Sequence, residues 1–118
     1  MRTAVIEIGY PGSIISVNHY KYKYYTKKGA RDFMEELGWQ VKPHHIEEWK
    51  LPITVRCSGF FTDKRSTPDL SNLSKIILDS LEEVSGVNDR NMRWQDGDIN
   101  YTEDDPKLVI EIKELDAD

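Results

Sequence analysis

The stretch PDLSNLSKIILDSL, residues 68–81, decides how this chain folds and raises the question of what it does. Leu70, Leu73, Ile77 and Leu81, with Val84 beyond, recur at helical spacing. They predict a helix with one buried face, stopped at Gly86. The polar residues Asp69, Ser71, Asn72, Ser74 and Lys75 crowd its first two turns. A structural reading accounts for them: proline suits a helix start, and an acid there gains about 0.3–1 kcal/mol from the helix dipole. Lys75 and Asp79, four apart, form a surface pair worth roughly 0.3–0.5 kcal/mol. A chemical reading is also open, because carboxylates and a lysine beside them are what a hard cation and a phosphate require. Mg²⁺ needs few protein oxygens and keeps several waters. Asp69 and Lys75 fit those roles, and GVNDRNM, just after the helix, offers Asp89 as a second acid.

Outward from that segment the elements alternate. TAVIEIGY is rich in β-branched residues and predicts a strand ending at Pro11-Gly12. SIISVNHYKYKYY is extended or looped; if extended, it sets Tyr20, Tyr22 and Tyr24 on one face and Lys21 and Lys23 on the other. Thr26 is the expected N-cap of a helix whose stripe is Ala30, Phe33, Met34, Leu37 and Val41, ended by Pro43. In LPITVRCSGFF, Ile53, Val55 and Cys57 alternate with Thr54, Arg56 and Ser58, the pattern of a half-buried strand. NMRW and DINYT read as two short strands and KLVIEIK as another. The order predicts a mixed α/β (α+β) domain, two helices packed on a mixed sheet.

At 118 residues the chain is expected to form one domain, with enough core to need no staple. Its one cysteine, Cys57, suits a reducing cytoplasm and reads as a small buried hydrophobe. No apolar run approaches membrane length, and the Met1 end has no signal-peptide pattern. A net charge of −5 argues against a general nucleic-acid binder. The charge is segregated, however. HYKYKYYTKKGAR, residues 19–31, carries Lys21, Lys23, Lys27, Lys28 and Arg31 without an acid, which leaves −10 on the rest. Interleaved tyrosines and lysines offer both phosphate charge and stacking faces. Lysines that blunt an edge strand give the same pattern. His44-His45 has no third ligand at metal spacing and reads as loop, and the tryptophans 39, 49 and 94 read as core or interface.

The pattern KRSTPDLSNLSKIILDSL followed by GVNDRNM resembles the RusA family of Holliday-junction resolvases. The family shows a basic stretch, Asp-Leu-Asp-Asn-Leu with a lysine three residues on, a helix, and then an Asp-Asp pair. SVNHYKY and YTKKGARDF are similar to its upstream segments, so the likeness runs over residues 10–92. It implies a RusA-like fold and a Mg²⁺-dependent endodeoxyribonuclease, with Mn²⁺ as a substitute, acting as a homodimer on four-way DNA junctions in recombination and repair. Carried over, Asp69 and Asp89 match the catalytic aspartates, Lys75 the functional lysine and Asn72 the motif asparagine that fixes the helix start. Lys64 and Arg65 fall in the basic stretch and join Lys21, Lys23, Lys27, Lys28 and Arg31 as DNA-binding candidates.

Ser71 departs from the pattern, standing where the family has its second aspartate. A neutral hydroxyl is a poor direct Mg²⁺ ligand, so Ser71 enters the metal set only through water. Asn88-Asp89 likewise has one acid for two. Asp79 lies ten residues along a helix from Asp69, about 15 Å, too far to share one ion. Asp63, in the preceding loop, is the remaining metal candidate. Two rivals stand beside the nuclease: a branched-DNA-binding protein with cleavage weakened or lost through Ser71, and a domain with no nucleic-acid role in which Asp69 only caps a helix.

Overall fold

The computed structural model describes residues 1–17, 21–22, 25–26 and 28–116, with side chains at all of these except 21, 22, 25 and 26. The strands are β1 (Thr3–Gly9), β2 (Lys21–Tyr22), β3 (Tyr25–Thr26), β4 (Ile53–Phe61), β5 (Met92–Tyr101) and β6 (Lys107–Lys113). The helices are α1 (Lys28–Val41) and α2 (Ser74–Ser85). A four-stranded sheet runs in the order β1-β6-β4-β5, and β2 pairs with β3 apart from it. β6 is antiparallel to both neighbours, while β4 and β5 are parallel. A parallel pair cannot be joined by a tight turn, and α2 makes the crossover between them. The fold is therefore α+β with a mixed sheet.

Alternation drives one face of the sheet inward. Ala4, Ile6 and Ile8 of β1, Leu108, Ile110 and Ile112 of β6, and Ile53, Val55 and Cys57 of β4 are all buried. They meet the α1 stripe Ala30, Phe33, Met34, Leu37 and Val41, each buried as its spacing predicts, and Ile76, Ile77 and Leu81 of α2. Burying one such large aliphatic side chain contributes about 1.5–3 kcal/mol relative to exposure. The opposite face meets water through ion pairs of Lys107 with Glu7 (3.2 Å) and of Arg56 with both Asp98 (3.3 Å) and Glu111 (3.3 Å). Burial pushes the Cys57 thiol up to about 12, with the Asp96 carboxylate adding to it. Cys57 is thus the inert small hydrophobe its strand position predicts.

Three expectations need correction. Thr26 is the last residue of β3, and α1 begins at Lys28, so the threonine is not its N-cap. Residues 68–73 are not α-helical: Leu70–Leu73 form a 3-10 turn, and α2 proper starts at Ser74. NMRW and DINYT are one strand, β5, interrupted by a bulge where Gly97 and Asp98 both face Ser58. There the Asp98 N–H donates to Ser58 Oγ at 3.0 Å. A Cβ on Gly97 would stand 2.1 Å from that oxygen and 2.8 Å from the Cys57 carbonyl, so the crossing admits only glycine. Gly86 stops α2 as expected, with φ at 80° and its N–H donating to the Glu82 carbonyl.

Candidate functional site

The site begins where β4 runs out. Asp63 closes the following loop on itself: its Oδ1 accepts from the Ser66 N–H (2.8 Å) and its carbonyl from Thr67 Oγ1 (2.7 Å). This carboxylate shapes the loop, in the manner of an aspartate accepting from backbone a few residues on. The chain then reaches Asp69, which caps the 3-10 turn. Asp69 Oδ1 accepts both the Ser71 N–H (3.2 Å) and the Ser71 hydroxyl (2.9 Å). Leu70 and Leu73, buried beneath, hold the turn on the core. The carboxylate is therefore fixed by one oxygen, and Oδ2 has no hydrogen bond among the described residues. Ser71, a candidate for the metal set, spends its hydroxyl proton on Asp69.

Asn72 fixes the same corner through its backbone. Its N–H donates to the Asp69 carbonyl (2.9 Å), and its own carbonyl accepts the Val17 N–H (2.8 Å). That second bond draws the segment after β1 against the turn. Between them opens a cleft of about 400 Å³, with Tyr10, Ser13 and Ser16 on one side and Arg65, Pro68 and Asp69 on the other. Gly12, at φ 96°, turns the chain at its edge. Tyr10, Ser13 and Ser16 escape a reading that looks only for charge. The signal present in the sequence was the Pro11-Gly12 break after β1.

Asp89 lies elsewhere. It directly precedes β5, whose first residue Met92 pairs with Ile53, the first residue of β4. Asp69 belongs to the other end, where Phe61 pairs with Tyr101. The twelve residues of α2 run between the two acids, roughly 18 Å of helix at 1.5 Å per residue. Within one chain they do not share an ion. Asp89 is exposed: its N–H donates to Glu82 Oε1 (2.9 Å), and its carboxylate has no partner among the described residues. Lys75, on the first turn of α2, stands 3.6 Å from Asp79, the pair predicted by their spacing.

The basic candidates separate into two kinds. Arg31 is engaged by Glu83 through two bonds, 3.1 and 2.9 Å, and by Glu35, which raises its pKa further. Lys28 pairs with Asp32 (3.2 Å). Lys64 and Arg65 have no ion pair among the described residues, and Arg65 lines the cleft. Lys23, Lys27 and the side chain of Lys21 lie outside the described residues, as do Tyr20, Tyr24 and the side chain of Tyr22. Of the tryptophans, Trp49 is core and Trp94 half-buried, but Trp39 projects from α1 with 77% of its surface exposed.

No group of three acidic, histidine or cysteine side chains converges on one point among the described residues. Among the described residues, a single chain offers the cleft one carboxylate, Asp69. Mg²⁺ is held by one or two carboxylates and waters, so the donor set suits that ion once a second acid is brought to it. No described helix is long and apolar enough to cross a membrane. The family model described as "Endodeoxyribonuclease RusA" matches residues 14–113. No curated protein matches the chain.

Proposed function

Because the chain belongs to the RusA endodeoxyribonuclease family, we propose that it is a Mg²⁺-dependent, structure-selective nuclease that cuts four-way DNA junctions as a homodimer in the cytoplasm. The observation that carries this reading is the Asp69 carboxylate beside an open cleft, fixed at one oxygen and with no hydrogen bond among the described residues at the other. With about 18 Å of helix between Asp69 and Asp89, each site takes Asp69 from one protomer and Asp89 from the other. Paired cuts in two strands then follow from two-fold symmetry. Mg²⁺, when bound, polarises the phosphate and lowers the pKa of the attacking water; Mn²⁺ substitutes for it. Asp69 and Asp89 would hold the ion, and Ser71 keeps the Asp69 carboxylate in one orientation. Lys75 leaves its Asp79 pair and stabilises charge on the phosphate in the transition state. Lys64 and Arg65 bind the strand near the cut.

Mixing two inactive variants tests this arrangement. Asp69→Asn and Asp89→Asn homodimers each lose cleavage by about two orders of magnitude, the scale of losing one charge-stabilising group. A differently tagged heterodimer of the two keeps one site with both acids, so it nicks junctions and binds one Mn²⁺ where the wild-type dimer binds two. If each chain supplied its own complete site, the heterodimer would be as dead as its parents. Retained cleavage in both homodimers removes both acids from the mechanism.

A second reading, a branched-DNA-binding protein with cleavage lost, is favoured by one feature. Ser71 donates its hydroxyl hydrogen bond to Asp69 and leaves the site a carboxylate short of the family pattern. Junction binding without cutting in Mg²⁺ or Mn²⁺ selects it.

A further inference from the structure

The cleft beside Asp69 is more than the setting for one carboxylate. Three separate segments build it: the turn after β1, the loop after β4 and the capped 3-10 turn. Its volume of about 400 Å³ lies in the range of small-ligand sites, about 300–1,000 Å³. That space suits one nucleotide and excludes a duplex. Tyr10 forms a wall whose ring is fixed edge-on by Phe61, with centroids 5.2 Å apart and planes at 86°. The hydroxyls of Ser13 and Ser16 and the Arg65 guanidinium make no hydrogen bond or ion pair among the described residues. The side chains of Arg2, Arg31, Arg56 and Arg93 are engaged by carboxylates or backbone carbonyls; those of Arg65 and Arg90 are not engaged among the described residues, and of these two only Arg65 lines the cleft.

We propose that this cleft binds a single unstacked nucleotide of the strand to be cut, its phosphate on Arg65 and the serine hydroxyls and its sugar and base along Tyr10. The proposal rests on the nuclease reading and adds a source of structure selectivity to it. Taking a nucleotide out of a stack is costly in a duplex, and least so where pairing is already interrupted. A branch point supplies such a nucleotide at low cost, and a continuous duplex does not. A guanidinium suits the phosphate because its planar fork donates two parallel bonds. The aromatic wall is tolerant of sequence because every base has a π-face.

The probe is the dinucleotide pTpT, titrated into the ¹⁵N-labelled full-length protein and followed by amide shifts. Expected are shifts at Gly12, Ser13, Ser16 and Thr67. Arg65→Ala should weaken binding roughly tenfold, the scale of one charge-assisted hydrogen bond, and Ser13→Tyr, which fills the cleft from an exposed position, should abolish it. Shifts confined to α1, no shift at millimolar pTpT, or unchanged affinity in both variants would each overturn the proposal. So would inorganic phosphate giving the same shifts at the same concentration, since the cleft would then be an anion site only. A protein that binds pTpT here but leaves junctions uncut keeps the cleft and loses the nuclease. One that cuts junctions without these shifts does the reverse.

Discussion

At the end of the sheet where β1 starts and β6 finishes, a buried carboxylate is fully engaged; at the other end, a carboxylate and two cations are left with bonds to spare. Glu114 accepts from the Arg2 backbone and guanidinium and from the Lys50 N–H, and Arg2 reaches on to the Glu48 carbonyl. The network joins residues more than a hundred positions apart and holds the Glu114 carboxyl at about 2, with its bonds to Arg2 first among the causes. The side-chain bonds of Asp63 and Asp69 are local, two or three residues in reach, and Lys64 and Arg65 have no ion pair among the described residues. Saturated charge positions a fold. Charge that is held but unsatisfied is available to a ligand.

The largest effect expected from this contrast is on DNA. Removing one cation that neutralises a phosphate lowers the slope of log affinity against log salt by about 0.9 on duplex DNA. Lys64→Ala with Arg65→Ala should therefore lower it by about 1.8, whereas Lys28→Ala with Arg31→Ala, both already paired within the protein, should lower it less. The same fall in both double variants would erase the distinction between paired and available cations.

The sequence carried the periodic elements because their signals are local. The stripe of α1, the alternation of β4 and the Gly86 stop each arise within a dozen residues and meet the buried positions found. Long-range partners left no such trace: nothing in KKGARDF reveals that Arg31 is bound by Glu83, fifty-two residues away. Nor did NMRW and DINYT show that a bulge against Ser58 carries one strand through both. Asp69 and Asp89 are the sharpest case. The family pattern pairs them in sequence, while the β4–α2–β5 crossover sends them to opposite ends of the sheet. The cleft hydroxyls of Ser13 and Ser16 were invisible because a serine at either end of a short 3-10 turn is ordinary chemistry.

A smaller effect is expected at the saturated end. A carboxyl with a folded pKa of about 2 against a usual 4.5 stabilises the fold above the unfolded value, and that contribution is lost as pH falls toward the folded one. Glu114→Gln should lower Tm at neutral pH and flatten the fall in Tm between about pH 5 and 2. An unaltered profile in Glu114→Gln would mean that the network does not bind its charge.

The smallest and most pointed effect is at Ser71. Its hydroxyl donates to Asp69 Oδ1 at 2.9 Å, so Ser71→Asp exchanges a donor for a like charge beside the same carboxylate. Without a cation the variant should be slightly less stable, because two exposed acids repel and one hydrogen bond is gone. The 3-10 cap loses only its side-chain donor, since the backbone bond from residue 71 to Asp69 remains available. With Mg²⁺ the sign reverses. A second carboxylate tightens the ion's binding, and a ligand that binds only the folded state stabilises it by RT ln(1 + [L]/Kd). Tm should therefore climb with Mg²⁺ concentration more steeply in Ser71→Asp than in the wild type, and junction cleavage should rise with it. A Mg²⁺ response no steeper than that of the wild type would mean that residue 71 does not face the ion, and that Ser71 serves only to orient Asp69.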